Sequence, residues 1–146
     1  MAKDRTLPVR RAILTALKAD TAVIALVPAA SIHPQSPLQE PSWPFIKYGA
    51  PAGLPVRASC VDGSEIDVAV HSFAKPRYSG KAMIETAEDH CSRIGAAVLG
   101  AIDAHRLPLQ TGESARVRTT GWQLLQDGDE ADAYHHVANF RVRVLA

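Results

Sequence analysis

The sequence predicts an α+β protein: a mostly antiparallel sheet, one long amphipathic helix packed on it, and a short N-terminal helix pair. Three observations predict this class. Apolar residues recur at helical spacing at the start of the chain and again over 81–103, and apolar and polar residues alternate over 134–145. Strands that follow one another, with the helices set apart from them, favour α+β over an alternating α/β fold.

The start of the chain has the pattern of two short helices. Pro8 suits the first turn of a helix, where its missing N–H costs nothing. Apolar residues then recur every three or four positions, and Asp20 is placed to cap a second helix that Pro28 closes. We therefore predict a helix pair over 7–26.

The segment after the helix pair is rich in proline. Five prolines lie between residues 28 and 44, a density that excludes a regular helix or a central strand. An extended connector is predicted here, with a short edge strand at 31–33 and a further strand at 44–49. Prolines and a glycine interrupt the pattern again, so 50–63 is predicted to be a long loop or an irregular hairpin arm.

The rest of the chain alternates between clear strand and helix patterns. A strand is predicted at 64–73, and two more at 115–125 and 134–145 with a turn at 127–130 between them. A long helix capped by Ser79 is predicted over 81–103. Its apolar stripe consists of Met83, Ala87, Cys91, Ile94, Val98, Ala101 and Ile102.

Length and composition are those of one soluble domain, 1–146. The chain has 146 residues, 47% of them hydrophobic and 21% charged, and a formal net charge of +1. That balance argues against a dedicated nucleic-acid binder, which carries a strongly basic footprint. No apolar run reaches the roughly 20 residues that a membrane span needs, and no apolar stretch follows the charged start as in a signal peptide. We expect a protein of the cytoplasm, or of a particle assembled there, with no membrane partner.

No set of residues in the sequence predicts catalysis, a cofactor or a metal. His135 and His136 are adjacent in a strand and so point to opposite faces, which prevents them from sharing an ion easily. Cys91 lies in the apolar stripe beside His90, and the two point about 100° apart on a helix. Cys60 and Cys91 are predicted to be free thiols. A small hydrolase or thiol enzyme is the rival from another class, but no nucleophile, base and oxyanion donors converge.

Four stretches of the chain, in this order, carry a resemblance to a known family. The first is the helix pair from Ala12 to Val27 and the second is the proline-rich crossing that ends in Trp43-Pro44-Phe45-Ile46-Lys47-Tyr48-Gly49. The third is the strand Ile66–Phe73 with the helix after it, and the fourth is the closing hairpin with Asp127-Gly128 and Tyr134–Val144. Together they resemble the phage tail-completion (tail terminator) family, small proteins long filed as a domain of unknown function.

The resemblance implies a structural role without chemistry. Such proteins are similar to tail terminators, which form a ring of six copies at the head-proximal end of a long tail. The ring stops growth of the tube and presents a surface to the head connector, while genomic DNA passes through its channel. The implied partners are further copies of the chain, the major tail-tube protein and the connector or stopper protein. Within the same setting, the alternative is another neck component, a stopper or head–tail adaptor. The particle is an infectious phage, a defective prophage or a gene-transfer particle, and the sequence does not distinguish these.

The candidate interface residues are four arginines and one segment. Arg116 and Arg118 share one face of their strand, and Arg141 and Arg143 share one face of theirs. If these strands pair, the four form a basic patch that meets DNA phosphate or an acidic neighbour in the ring, at an interface or in the lumen. The other interpretation, which the sequence favours, is a solvated face balanced by the carboxylates at 127–130. The segment 50–63 is expected to pack on a neighbouring copy or on the tail tube.

Overall fold

The computed structural model describes residues 2–35 and 40–145, and its α+β class confirms the prediction. Residues 36–39 of the predicted proline-rich connector lie outside the described residues. Helix α1 spans Thr6–Ala19, α2 spans Thr21–Leu26 and α3 spans Ala87–Ile102. Asp20 caps α2 by accepting a hydrogen bond from the Val23 N–H at 3.0 Å. None of the helices in the described part of the chain has the length and apolar character of a membrane span.

The strands form one large sheet and one small one. The chain order is β1 Ile32–His33, β2 Phe45–Tyr48, β3 Ala52–Ala58, β4 Val61–Ala74, β5 Arg77–Ser79, β6 Ala82–Glu85, β7 Arg106–Pro108, β8 Ser114–Gln126 and β9 Tyr134–Leu145. The large sheet has the order β1-β2-β4-β9-β8-β7, and all of its pairs are antiparallel except β1–β2. Strands β2 and β3 lie end to end along the same edge of β4. Strands β5 and β6 form a separate hairpin.

The segment 50–63 is not a loop, because most of it is the β3–β4 hairpin arm. Residues 52–58 pair with 67–61 of β4, and the turn carries Cys60 at a φ of +67°. Pro51, Gly53 and Pro55 had argued against a strand there. Strand β3 has β4 on one side and no second strand on the other among the described residues, and an edge strand tolerates proline because it need not donate on both sides.

The helix predicted from residue 81 begins later, at Ala87. Residues 82–85 belong to the β5–β6 hairpin, and Thr86, not Ser79, caps α3 by accepting from the Asp89 N–H at 3.2 Å. Met83 is therefore 52% exposed on the hairpin and is not part of the buried stripe. Gly80, at a φ of +63°, makes the hairpin turn, which the helical spacing of the apolar residues did not predict.

An ion-pair network holds the base of this hairpin. Glu85 accepts from Arg93 of α3 at 2.6 Å and from Arg77 of β5 at 3.3 Å. The Arg93 guanidinium lowers the pKa of Glu85 to about 2. Because residues 82–85 are extended and not helical, Glu85 pairs with arginines from β5 and α3.

The core lies between the sheet and a layer formed by α1 and α3. Its largest fully buried side chains are Phe140, Ile13, Leu17, Ile32, Ile46, Ile66, Ile94 and Ile102. Helix α3 crosses β9 closely where Gly95 meets the ring of His136, and a Cβ on Gly95 would clash with that ring. His136 is 5% exposed, so its ring has little room to retreat. The distance between α3 and the sheet is thus set at Gly95.

Replacing Gly95 with alanine is expected to destabilise the protein by about 1–3 kcal/mol, because the added methyl overpacks the contact with His136. The matched control is Gly100→Ala in the same helix, where an added Cβ meets nothing within 4 Å. That change should be neutral or stabilise by up to about 1 kcal/mol through helix propensity. Urea unfolding of both variants measures the difference, and equal free energies of unfolding would contradict the packing argument.

The face of the sheet opposite the helices has no helix on it within the described residues. We call the end of the sheet at which β9 begins and β8 ends its upper half, and on this face the upper half carries an aromatic cluster. The cluster consists of Trp43, Phe45, His71, Phe73 and His135. The rings of Phe45 and Phe73 stack at 4.6 Å, those of Phe73 and His135 stack at 4.2 Å, and Trp43 meets Phe45 edge-on at 5.0 Å. His71 Nδ1 lies 2.7 Å from His135 Nε2, so one ring donates to the other.

Because the two histidines are partly buried and adjacent, both resist protonation. Burial, with the neighbouring His71, lowers the pKa of His135 from 6.5 to about 4. Burial, with Lys47, lowers the pKa of His71. The unfolded chain therefore binds more protons than the folded chain between pH 6.5 and about 4. The stability that these rings contribute is present above pH 6.5 and is lost as the pH falls through that window.

Between pH 7 and pH 5 the free energy of unfolding is expected to fall by roughly 1–2 kcal/mol on account of His135. The variant His135→Phe keeps an aromatic ring on Phe73 and removes the titration, so its decline over the same range should be smaller. The decline should not vanish, since His71 and His136 also have lowered pKa values. Denaturant titrations at several pH values measure both slopes, and identical slopes would refute the assignment to His135.

Candidate interaction surface

Strands β8 and β9 bring all four predicted arginines together. The two strands are antiparallel, with Arg116 directly opposite Arg143 and Arg118 directly opposite Arg141. The residues between them, Val117 and Val142, are fully buried against the helices, so the arginines point to the helix-free side. Like charges directly opposite one another in a sheet disfavour pairing. A repeated pair of this kind therefore needs counter-charges or a partner.

Part of the counter-charge comes from β4, on the other side of β9. Arg141 Nε donates to Asp67 at 2.9 Å, and Arg143 Nη2 donates to Glu65 at 2.6 Å. Asp67 raises the pKa of Arg141. These are cross-strand pairs, since Asp67 is the register partner of Arg141 and Glu65 is that of Arg143. Two of the four arginines are thus held in place by the sheet itself.

A fifth arginine, Arg106, joins the group from β7, where it lies opposite Arg116. We call Arg106, Arg116, Arg118, Arg141 and Arg143 the arginine face. Together with neighbouring side chains they line an open groove of about 390 Å³. Arg106 donates to the Ser114 hydroxyl at 3.3 Å. Among the described residues Arg106, Arg116 and Arg118 form no salt bridge. The five arginines of the face are therefore balanced only by the two carboxylates of β4.

The prediction that the carboxylates at 127–130 balance the arginines was wrong. Glu130 lies 3.6 Å from Lys75, and Asp127 accepts from the Asp129 backbone N–H at 3.0 Å within its own turn. The turn joins the ends of β8 and β9 beyond Gln126 and Tyr134, whereas the arginines occupy the opposite ends of both strands. The carboxylates that balance the arginines belong to β4, which is distant in sequence and adjacent in space.

The chemical groups considered for catalysis are structural in this fold. The Cys91 thiol is fully buried and donates to the Ser72 carbonyl at 3.4 Å, and burial raises the pKa of Cys91 to about 12. A thiol with that pKa is not a nucleophile at neutral pH. His90 Nδ1 hydrogen-bonds the Lys75 carbonyl at 2.9 Å, away from Cys91. His135 and His136 lie on opposite faces of β9, as the alternation predicts.

Sequence reasoning missed Arg106 and the pairing of Asp67 and Glu65 with the arginines. The alternation of 64–73 placed Asp67 on the polar side of its strand, so a signal for Asp67 was present. What the sequence lacked was the knowledge that β4 pairs with β9. Arg106 had no such signal, because β7 is only three residues long and ends at Pro108.

Comparison with known proteins gives a family and a solved structure of similar fold. No curated protein matches the chain at a significant level. A solved structure of similar fold is a chain of the virion of a native gene transfer agent particle, with a TM-score of 0.75 and 16% identity, covering 95% of this chain and 96% of that chain. The family model for tail completion protein gp17 matches residues 11–145. The chain therefore belongs to the tail completion protein gp17 family, and it is a structural protein of a phage tail and not an enzyme.

Proposed function

We propose that this protein is a tail terminator. Six copies form a ring at the head-proximal end of a long tail, where the ring stops polymerisation of the tube and offers the head connector its docking surface. The chain is made in the host cytoplasm and becomes part of the neck of the particle. Its partners are its own copies, the tail-tube protein, the connector protein and the DNA that passes through the ring.

The observation that carries this proposal is the arginine face. It lies on the side of the sheet that no helix covers in the described part of the chain, and three of its five guanidinium groups have no carboxylate partner there. A surface of this kind suits passing DNA, because phosphate contacts carry no sequence information. We orient this face toward the channel and the α1–α3 layer toward the outside.

The overall charge of +1 is consistent with this orientation. A protein that must hold DNA would be basic overall, whereas one that lets DNA slide past needs positive charge only where DNA passes. Arg141 and Arg143, already paired with β4, offer a weaker hold on phosphate than free arginines do. Contacts of this strength favour passage over retention.

Ring formation also requires two different contact surfaces on each subunit. The β3–β4 arm on one side of the sheet and the part of β8 beyond its pairing with β7 on the other supply two such surfaces. Each contact between small subunits is limited in area, and each association costs translational and rotational freedom. We therefore expect ring closure to be most favourable on the end of a tail tube, which holds the subunits in place.

The decisive experiment is the solution mass of the purified protein, alone and mixed with the major tail-tube protein. A closed ring of about six copies, or one that appears only with tube protein and limits tube length, is the expected result. A strict monomer that ignores tube protein would contradict the terminator role. The stopper or adaptor alternative would then be favoured.

The arginine face predicts a charge-reversal effect. The double variant Arg116→Glu, Arg118→Glu should fold and form rings, but particles carrying it should package or eject DNA at least about tenfold less efficiently, because phosphate meets repulsion in the channel. These two arginines are the better choice, since reversing Arg141 and Arg143 would set new carboxylates against Glu65 and Asp67.

The matched control is Arg11→Glu, Lys18→Glu, which makes the same change of net charge on the exposed side of α1. Melting temperatures of both double variants should equal that of the wild type within a few degrees. DNA delivery that is normal with the β8 variant, or equally impaired with the control, would remove the arginine face from the channel.

A further inference from the structure

The upper half of β8, residues 120–126, is an open sheet edge. Strand β7 pairs only with 114–116 of β8, and the Val117 and Thr119 amides find partners in the His105 carbonyl and the Asp103 carboxylate. From Thr120 to Gln126 no strand lies beside β8 on that side within the described residues. The backbone groups along this edge are a template for a further strand.

This edge lacks the protection that open edges carry in monomeric proteins. Natural sheets blunt such edges with charged residues, lysine above all, or with proline. The segment 120–126 reads Thr-Gly-Trp-Gln-Leu-Leu-Gln and contains neither. Trp122 is 61% exposed and Leu125 is 38% exposed. An uncharged edge with an exposed tryptophan has the composition of an interface, and tryptophan is enriched among residues that dominate binding energy.

The chain carries a second open edge of matching length and direction. Strand β3 has seven residues and pairs only with β4 in the described part. Pro55 within it has no backbone N–H to donate, so a further strand would bond there through the other residues of β3. Within one subunit β9 and β3 run one way, and β8 and β4 run the other, because each pair is antiparallel. If β3 of a second copy is placed beside β8, the order β9-β8-β3-β4 keeps this alternation unbroken. The two edges are therefore complementary in direction.

The two edges are also staggered. The open part of β8 is level with 69–74 of β4 through β9, whereas β3 is level with 61–67. The offset is about seven residues, or roughly 25 Å along the strands. A flat extended sheet has no need of such an offset. In a closed ring of paired strands, an offset of this kind goes with strands that tilt relative to the ring axis.

A pocket beside β3 is suited to receive Trp122. Trp122 lies opposite Ala138, whose side chain is fully buried under the helices, so the indole projects on the helix side. On that same side of β3, a groove of about 450 Å³ separates the strand from the N-terminal segment 2–6. Its lining is mixed: Pro51, Pro55 and Ile66 supply apolar surface, and the N-terminal segment supplies polar and charged groups around it.

We propose that β8 of one copy pairs with β3 of the next, with Trp122 seated in the groove beside β3, so that the sheet runs continuously through the ring. This rests on the proposed ring and names the contact that builds it. The arginine faces of successive copies then form one surface toward the channel. It also gives the β3–β4 arm its neighbour, the open edge of β8.

Disulfide trapping tests the pairing directly. Two variants on the helix-free side of β3, Leu54→Cys and Val56→Cys, are mixed in turn with two on the same side of β8, Gln123→Cys and Leu125→Cys. All four carry Cys60→Ser, and Cys91 is buried. Each mixture is oxidised with tail-tube protein present. At least one mixture should yield a covalent dimer, while each variant alone yields none, because the contact joins two different edges.

The same samples, unoxidised, report ring mass, which separates the two proposals. Rings that form while no mixture cross-links would overturn the β8–β3 contact and leave the terminator role standing. Self-cross-linking of a β8 variant would also overturn it, since that means a two-fold β8–β8 contact. Absence of rings under every condition would overturn the terminator role and this contact together.

The variant Trp122→Lys tests the anchor without an engineered bond. It places on the open edge the residue that natural edges use as protection, and should raise the concentration needed for half-maximal ring formation at least about tenfold. Its melting temperature should not change, because Trp122 is mostly exposed. Ile24→Lys, at a 40% exposed apolar residue of α2, is the matched control and should assemble normally. Normal assembly of Trp122→Lys would refute the anchor.

Discussion

The antiparallel pairing of β4 with β9, from Gly63–Leu145 to Ala74–Tyr134, is the constraint on which the structure depends. Both strands alternate, so one register decides two surfaces at once. It buries Ile66, Val68, Phe140 and Val142 under the helices and puts charges on the other side. A slip of one residue would move arginines into the core and valines into solvent. Core packing therefore enforces the position of the candidate interaction surface.

The helix-free face divides into two halves that differ in availability. In the upper half Trp43 covers Phe45 and Phe73, Lys75 lies 4.7 Å above the Trp43 ring, and Phe45 is 7% exposed. That half is closed by the chain's own residues. In the lower half the arginine face borders an open groove, and its central like-charged pairs lack full compensation. A partner on this side of the sheet therefore meets the arginine face.

How far the sequence predicts this structure follows from the range of the interactions. Alternation over 134–145 is local, and it placed Arg141 and Arg143 on one exposed face correctly. The partners of those arginines depend on a strand more than 70 positions away, which no local pattern specifies. Two short edge strands, 52–58 and 82–85, were mispredicted for another reason. A neighbouring strand stabilises the first, and the ion pairs with Arg77 and Arg93 stabilise the second, in both cases against weak or contrary local propensity.

Strand β8 joins the two proposals, and the division of its charges supports treating them together. Its lower half carries Arg116 and Arg118, and there β7 and the 103–105 segment occupy the edge. Its upper half has no charge, and there the edge is open. The bulge between Thr119 and Gly121, with Gly121 at a φ of +144°, separates the halves and re-aims the strand. The charged half of β8 is thus the half whose edge the chain itself covers, and the uncharged half is the one whose edge is open. This pattern is expected of a strand that faces a channel with one half and pairs with a neighbouring copy through the other.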